Sequence, residues 1–296
     1  MSDLPNLTPE QVSDLLPEAT DIEVIGRGGQ KLVFKGTIDG QVYALKFARM
    51  PQLPEEAEEF DPEGIQMSDV EVRAQREVET MYECTSRHMV KLGPVGLNFT
   101  AIDDQELLYF SEEYIDGGNL QIRLRSGRFP SGEIVKLGLH ITDAIQALWE
   151  RRKIHRDIKP ANIMQRGDDY VLLDAGFAFD VVGDSLSIGP VGTPPYFSPE
   201  QFDFSNRRTV LDFRSDLFSL GVTMYQLATG EHPFWAPGDT SQSLYNKIRT
   251  HNPQPPSDLV PGFPNDLDEI ILRMLAKSPH LRYRRCRQLI DSLKEV

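Results

Sequence analysis

The sequence predicts an α+β protein of two lobes, a small β-rich N-terminal lobe and a larger helical C-terminal lobe. Between Asp21 and Phe47, β-branched and aromatic residues separated by glycines form strand-like patterns. From 131 to 151, apolar residues recur at helical spacing. Gly117 and Gly118 mark a break between the two patterns. We therefore expect an N-terminal extension with a short helix (1–20), a small lobe (about 21–112), a hinge (113–118) and a large lobe (119–296).

Composition and charge narrow the class of protein. A chain of 296 residues with 40% hydrophobic residues can bury a large core. The net charge of −14, with no basic stripe to offset it, argues against a nucleic-acid partner. Cys84 and Cys286 lie far apart in sequence, which fits free thiols in a reducing compartment. No apolar run has membrane length and no secretory signal begins the chain, so we expect a cytoplasmic protein without a membrane partner.

Local signals predict the first elements. Thr8 as N-cap, Pro9 at the first helical position and Gln11 at the capping-box position predict a short helix over 8–16. Packing against the small lobe is the simpler interpretation of this helix, and docking of a partner is the alternative. The acidic, proline-containing segment 50–66 is typical of a solvated loop.

One segment carries the chemistry of the chain. The residues H-R-D-I-K-P-A-N occupy 155–162, and D-A-G follows a short apolar strand at 174–176. Together they supply a carboxylate that can take a hydroxyl proton, a lysine, an amide oxygen and a second carboxylate. Phosphoryl transfer needs this set, because the acceptor oxygen must be oriented while metal ions hold the phosphates.

These two motifs resemble the catalytic and metal-binding loops of the protein kinase superfamily. Other segments resemble the family in the same order over residues 21–294. The sequence of residues 196–201 is most similar to that of bacterial serine/threonine kinases of the eukaryotic (Hanks) type. The matching segments are G-R-G-G-Q-K-L-V (26–33), V-Y-A-L-K (42–46), E-Y-I-D-G-G-N-L (113–120), G-T-P-P-Y-F-S-P-E (192–200) and D-L-F-S-L-G (216–221). The resemblance implies a bilobal protein-kinase-like fold that binds ATP between its lobes with Mg²⁺, or Mn²⁺ as an alternative, and phosphorylates protein serine or threonine.

The resemblance also implies roles for single residues. Asp157 would orient the acceptor hydroxyl and take its proton, and Lys159 would neutralise the γ-phosphate. Asn162 and Asp174 would hold the metal. Lys46, paired with Glu77 of the following helix, would reach the α- and β-phosphates. The implied nucleotide-binding residues are Ile25, Gly26, Arg27, Gly28, Gly29, Val33, Ala44, Lys46, Glu113, Ile115 and Met164.

A second group of residues is implied to support the site. Thr193 matches the docking-loop threonine, with its hydroxyl turned toward Asp157 and Lys159. Ser185 and Ser187 lie where a phosphate on the activation segment could pair with Arg156, and we expect autophosphorylation at Ser187 first and Ser185 second. Ordinary loop serines are the alternative. The implied structural residues are Glu200, Arg282 as its ion-pair partner, and Asp216, which would bond back to the catalytic loop.

Three residues depart from the family pattern, and two of them, Ala175 and Glu112, keep another function open. Lys31 stands where the third glycine of the phosphate loop usually falls. Ala175 replaces the phenylalanine of D-F-G, and Glu112 falls at the gatekeeper position, where its carboxylate can reach Lys46 and compete with Glu77. A pseudokinase scaffold that does no chemistry is therefore one alternative. A small-molecule kinase is the other, although the docking-loop motif at 192–200 favours a protein substrate.

Overall fold

The computed structural model describes residues 4–28, 31–50, 69–177, 179–180, 192–202 and 211–296. The α+β fold class is confirmed, because strands dominate one compact unit and helices the other. The small unit comprises Met1–Tyr82 and Val90–Tyr114, and the large unit comprises Glu83–Met89 and Ile115–Val296. The division falls inside the predicted hinge, between Tyr114 and Ile115, and places residues 1–20 in the small unit. It also places Glu83–Met89, predicted in the small lobe, in the large unit. The side chain of His88 explains this placement, since its Nδ1 lies 3.2 Å from the carbonyl oxygen of Tyr170.

A five-stranded antiparallel sheet organises the small unit. Its order is β1-β2-β3-β5-β4, so β3 lies at the centre. The strands are β1 (Thr20–Gly28), β2 (Lys31–Ile38), β3 (Gln41–Arg49), β4 (Asn98–Ile102) and β5 (Gln105–Glu113), accompanied by helices α1 (Pro9–Leu15) and α2 (Asp69–Glu83). Strand β2 alternates between buried and half-buried residues, so one of its faces packs in the core.

The register of this sheet decides which side chains share a face. Val33 lies opposite Lys46, and Lys31 lies opposite Ala48. Lys46 in turn lies opposite Phe110 of β5. Since directly paired residues point to the same side of a sheet, Lys31, Val33, Lys46 and Phe110 all project from one face.

Helix α1 closes the opposite side of the small unit's core. The predicted capping box is confirmed: Thr8 Oγ1 accepts from the Gln11 backbone at 3.3 Å, and Gln11 Oε1 accepts from the Thr8 backbone at 2.9 Å. Val12 and Leu16 are buried with Phe34 and Phe47 of the sheet in one apolar cluster. The helix therefore packs against the small unit, as its simpler interpretation predicts.

Helices form most of the large unit. The predicted core helix is confirmed as α4, whose Ile134, Leu137 and Ile141 are buried. The helices are α3 (Leu120–Leu124), α4 (Ser131–Glu150), α5 (Pro199–Phe202), α6 (Phe213–Thr229), α7 (Ser241–Thr250), α8 (Pro256–Leu259), α9 (Asn265–Met274) and α10 (Cys286–Lys294). The strands form two short antiparallel pairs, β6 (Lys153–Ile154) with β9 (Phe179–Asp180) and β7 (Ile163–Arg166) with β8 (Asp169–Leu172). Helix α6 is buried along almost its whole length, which makes it a central support.

Within the described part of the chain, no helix is long and apolar enough to cross a membrane. Cys84 and Cys286 are both buried and free, in agreement with the prediction that they form no disulfide. Burial raises the pKa of the Cys286 thiol to about 12, so this group stays protonated and unreactive near neutral pH.

Candidate active site

In the small unit, β3 and α2 bring a lysine and a glutamate together. Lys46 Nζ lies 2.8 Å from Glu77 Oε1, and both side chains are buried. Glu77 occupies the face of α2 that packs inward, three residues after Ala74, which is also buried. The structure thus places these two residues in the contact that the sequence motifs imply.

Glu112 contributes a second carboxylate to the same lysine. Its Oε2 lies 2.7 Å from Lys46 Nζ, and only 6% of its side chain is exposed. Burial raises the pKa of the Glu112 carboxyl, and the neighbouring Lys46 opposes that shift. The Glu112 carboxylate therefore adds to the contact of Lys46 with Glu77 and does not replace it.

Lys31 completes a cluster of four charged side chains, which we call the charge cluster: Lys31, Lys46, Glu77 and Glu112. Lys31 forms an ion pair with Glu77 Oε2, while Lys46 takes Oε1 of the same carboxylate. Both lysine amines lie 5.7 Å from the centre of the Phe110 ring. The sequence predicted no role for Lys31 beyond the loss of a glycine. Its position on the same sheet face as Lys46 is the signal that could have revealed this contact.

The structure places most of the predicted nucleotide-binding residues of the small unit on neighbouring strands. Gly26, Arg27 and Gly28 end β1, and Ile25 is exposed just before them. Gly29 lies outside the described residues. Val33 of β2 and Ala44 of β3 share the sheet face of the charge cluster, because Val33 pairs with Lys46 and Ala44 lies two residues before it.

Two hydrogen bonds with Lys91 hold Glu113, the first residue of the predicted hinge. The backbone N–H of Glu113 donates to the Lys91 carbonyl oxygen at 2.9 Å, so this donor is used inside the small unit. The Glu113 side chain accepts from the Lys91 backbone at 3.1 Å. In the large unit, Ile115 is buried and Met164, in β7, is half-buried beside Asn119.

In the large unit, hydrogen bonds hold Asp157 on both carboxylate oxygens. Its Oδ2 accepts from Lys159 Nζ at 2.7 Å and from Asn162 Nδ2 at 2.9 Å. Its Oδ1 accepts from the Thr193 backbone at 2.9 Å. Three donors fix the rotation of the carboxylate, and the lysine stabilises its charge. The carboxylate is therefore held in one orientation.

The docking loop touches the catalytic loop directly. Thr193 Oγ1 lies 2.5 Å from Lys159 Nζ, which is the orientation that the sequence resemblance implies. Gly192 has a φ of 124°, and a Cβ there would lie 2.8 Å from the Arg156 carbonyl oxygen. Only glycine permits this close approach. Gln201 adds a bond that the sequence did not suggest, donating to the Arg156 carbonyl oxygen at 3.2 Å.

Asp216 anchors the catalytic loop from below. Its carboxylate accepts from the backbone N–H of His155 at 2.8 Å and of Arg156 at 2.9 Å. Arg156 has a φ of 67°, a conformation that is strained for a residue with a side chain, and these bonds hold it there. Burial raises the pKa of the Asp216 carboxyl, although its hydrogen bonds oppose the shift.

The two implied metal ligands flank the β7–β8 hairpin. Asn162 precedes β7, and its amide nitrogen donates to both the carbonyl oxygen and Oδ2 of Asp157, each at 2.9 Å. This orientation directs the amide oxygen away from Asp157. Asp174 follows β8 and is half-buried, with a φ of 59°. An amide oxygen and a carboxylate are hard ligands that suit Mg²⁺, so the donor set fits this ion.

Glu200 and Arg282 form a buried ion pair. Arg282 donates from Nη1 to Glu200 Oε1 at 2.6 Å and from Nη2 to Oε2 at 2.9 Å. Arg282 also donates to the carbonyl oxygens of Arg214 and Ala276, at 2.8 Å each. The two-pronged pairing links α5 to the turn before α10. The two predicted phosphorylation sites, Ser185 and Ser187, lie outside the described residues.

Comparison with known proteins agrees with this arrangement. A buried lysine–glutamate pair, and an aspartate hydrogen-bonded to a lysine near two implied metal ligands, are typical of phosphoryl-transfer proteins. The sequence model of the family described as "Protein kinase domain" matches residues 19–292. The chain belongs to this family.

Within that family the chain is similar to bacterial serine/threonine kinases. It is 38% identical over 200 residues to serine/threonine-protein kinase PknB of Mycobacterium leprae, covering 64% of this chain and 30% of that one. It is 32% identical over 270 residues to a probable serine/threonine-protein kinase of Streptomyces coelicolor, covering 88% and 37%. A probable kinase of Clostridium perfringens is 26% identical over 281 residues, covering 93% and 38%. The chain thus spans about a third of the length of these curated relatives.

Proposed function

We propose that the chain is an ATP-dependent serine/threonine protein kinase that transfers the γ-phosphate of ATP to protein hydroxyls. The observation that carries the proposal is the arrangement at Asp157, whose carboxylate is fixed by Lys159, Asn162 and the docking loop. A proton acceptor oriented in this way, next to a lysine that also bonds Thr193, suits attack by a protein hydroxyl. The kinase names of the relatives support the same assignment.

Each residue in the mechanism has one task. Asp157 accepts the hydrogen bond of the acceptor hydroxyl and takes its proton as the oxygen attacks. Lys159 offsets the charge that builds up on the transferred phosphate. Lys46, held by Glu77, binds the α- and β-phosphates. Asn162 and Asp174 would hold a Mg²⁺ ion, which would neutralise part of the phosphate charge.

Three further assignments belong to the proposal. Backbone groups of Glu113 and Ile115 bind the adenine edge, and Val33, Ala44 and Met164 contact the ring. Because the Glu113 N–H is already bonded to Lys91, we assign the adenine contact at Glu113 to its carbonyl oxygen. Mn²⁺ can replace Mg²⁺ at the same oxygen ligands. A cytoplasmic location is supported by the two free cysteines.

Incubation with labelled ATP tests the function. We expect label on the protein itself and on a generic basic protein such as myelin basic protein, and none on small alcohols such as choline. Label on a small alcohol alone would assign the chain to small-molecule kinases. If the protein binds nucleotide but transfers no phosphate, it would be assigned to pseudokinase scaffolds. The contact of Glu112 with Lys46 is the structural observation that favours this alternative.

Autophosphorylation at Ser187 first and Ser185 second is the regulatory part of the proposal. A phosphate there can pair with Arg156, which precedes Asp157. Intact-mass measurement of the wild type and of Asp157→Asn counts the phosphates that the protein adds to itself, and peptide mapping locates them. Phosphate found elsewhere, or full activity of the Ser185→Ala/Ser187→Ala double variant, would refute this assignment.

A further inference from the structure

We propose that Lys31 is a positioning residue of the phosphate site, which offsets Glu112 electrostatically and so keeps Lys46 available for the phosphates of ATP. The inference rests on the proposed function, because it concerns how Lys46 serves the nucleotide. It starts from a problem that Glu112 creates: this carboxylate lies 2.7 Å from the amine that must bind phosphate. A carboxylate and a polyphosphate compete for the same cation and repel each other.

The geometry of Glu77 shows how Lys31 enters the charge cluster. Glu77 offers one carboxylate oxygen to each lysine, Oε1 to Lys46 and Oε2 to Lys31. The side chain of Glu77 is fully buried, and only 21% of the Lys31 side chain is exposed. The two amines are thus held by one carboxylate in a largely water-excluded place, where charges act on each other strongly.

The sheet register explains why Lys31 reaches this position. Lys31 begins β2 and pairs with Ala48, two residues along β3 from Lys46. Both lysines therefore rise from one sheet face, and both lie over Phe110. A glycine at position 31 has no side chain to place there.

Counting formal charges shows what Lys31 changes. Lys31 and Lys46 balance Glu77 and Glu112, so the cluster is neutral when all four groups are ionised. Without Lys31 the cluster carries one net negative charge beside the incoming phosphates. Lys46 would then be shared between two carboxylates with no second cation to relieve either. A lone pair of Lys46 and Glu77 would have no net charge, and Glu112 adds one negative charge to it. Lys31 cancels that added charge.

The proposal predicts a coupling between Lys31 and Glu112 in nucleotide binding. The Kd values for Mg-ATP and for adenosine are measured by titration calorimetry on the full chain. Lys31→Met should raise the Kd for Mg-ATP about tenfold, as expected for one charge acting through a partly buried site. The Kd for adenosine should stay within about twofold, because adenosine has no phosphates. The double variant Lys31→Met/Glu112→Gln should return the Kd for Mg-ATP to within about threefold of the wild-type value. The two substitutions are then non-additive, as expected for residues that interact.

Proton binding to Glu112 supplies a second readout. The charged groups that face its carboxylate are Lys31 from β2, Lys46 from β3 and Glu77 from α2. Lys31 lowers the pKa of Glu112, so Lys31→Met raises it. In that variant the Kd for Mg-ATP should fall as the pH is lowered, because protonated Glu112 releases Lys46. The double variant should lack this dependence. A purely structural role for Lys31 produces no such difference.

Two control variants complete the design. Lys35→Met removes a lysine from the same strand and face, where it forms an exposed ion pair with Glu23 at 2.9 Å, and should leave the Mg-ATP Kd unchanged. Lys31→Arg keeps the charge and should stay within about threefold of the wild type. A Lys31→Met variant with wild-type Mg-ATP affinity, or no recovery in the double variant, overturns the assignment. If the Kd values show this coupling but the wild type transfers no phosphate, the kinase function is refuted and the role of Lys31 in nucleotide binding stands.

Discussion

Asp157 receives three hydrogen bonds, and they determine the direction of its carboxylate. The bonds from Lys159 and Asn162 converge on Oδ2, and the bond from the Thr193 backbone holds Oδ1. Two of these donors lie within five residues of Asp157, while the third comes from 36 residues further along. The orientation of the Asp157 carboxylate therefore depends on Thr193 as well as on residues of its own loop.

Replacing this carboxylate by an amide separates chemistry from folding. Asp157→Asn keeps the shape of the side chain and removes the proton acceptor, so kcat should fall by about 10²–10⁴-fold. The KM for ATP and the melting temperature should change little. Steady-state kinetics and thermal unfolding measure these quantities. Asp168→Asn is the matched control, since Asp168 is exposed in the nearby β7–β8 turn, where it pairs with Lys136. The kcat of this variant should equal that of the wild type.

Sequence motifs predicted single residues well where chemistry restricts the choice. The contacts of Lys46 with Glu77 and of Asp216 with the 155–156 backbone follow the motif spacing. The role of Lys31 did not follow, because a lysine at the start of a strand is usually solvated. Its contact depends on the register between β2 and β3 and on the position of α2. Those are tertiary facts, which one sequence does not contain.

At the scale of elements, a cluster of rings ties the β7–β8 hairpin to α4. The rings of His88 and His140 stack with their centres 4.1 Å apart. His140 Nδ1 accepts from the Tyr170 backbone at 3.1 Å, and the Tyr170 hydroxyl bonds Glu133 of α4. Burial lowers the pKa of both histidines, for His140 to about 4. The two stacked rings are therefore neutral at pH 7. The β7–β8 hairpin, which directly follows the loop 155–162, packs against them.

This pair predicts acid sensitivity. The unfolded histidine titrates near 6.5, above the folded value, so the unfolded state binds more protons between about pH 6.5 and pH 4. The free energy of unfolding should therefore fall as the pH drops through this window, with His140 contributing at most about 3 kcal/mol. Urea unfolding of wild type and His140→Asn at several pH values measures the slope. Asparagine keeps an acceptor for the Tyr170 backbone but does not titrate, so the unfolding free energy of His140→Asn should depend less on pH. His251→Asn changes an exposed histidine and serves as the control, with the same pH dependence as the wild type. Equal slopes for all three would refute this prediction.

Element boundaries were predictable where local chemistry sets them. The capping box at Thr8 and the apolar spacing of α4 are local signals, and both helices form as predicted. The attachment of Glu83–Met89 to the large unit could not be predicted in the same way. It depends on bonds such as those of Arg87 with Asp169 and of His88 with Tyr170, which join residues about 80 positions apart.

At the scale of the whole molecule, the two-unit organisation follows from hydrophobic patterning. Strand-like patterns before Gly117 and helical patterns after it correspond to a five-stranded sheet in the small unit and a helical large unit. The family resemblance predicted the long-range pair of Glu200 and Arg282, which patterning alone cannot connect. This pair joins residues 82 positions apart inside the large unit.

That pair should control global stability. Arg282→Met leaves the buried Glu200 carboxylate without its cation and should lower the free energy of unfolding by about 3–5 kcal/mol. Arg282→Met/Glu200→Gln should recover part of the loss, because no buried charge remains unpaired. Denaturant unfolding measures both. Arg287→Met, which removes an exposed ion pair with Asp291, is the control and should cost less than about 1 kcal/mol. A loss for Arg282→Met no larger than this control would contradict the argument.

The packing of α1 has a practical consequence for preparing this protein. The family match begins at residue 19, but Leu7, Val12 and Leu16 fill one side of the small unit's core before that point. A recombinant chain started at the homology boundary would leave Phe34 and Phe47 facing solvent on that side. Such an apolar patch promotes aggregation, so low solubility of the trimmed chain would reflect the loss of α1 and not a defect in the rest of the domain. Side-chain packing, and not sequence similarity, defines where this domain has to begin.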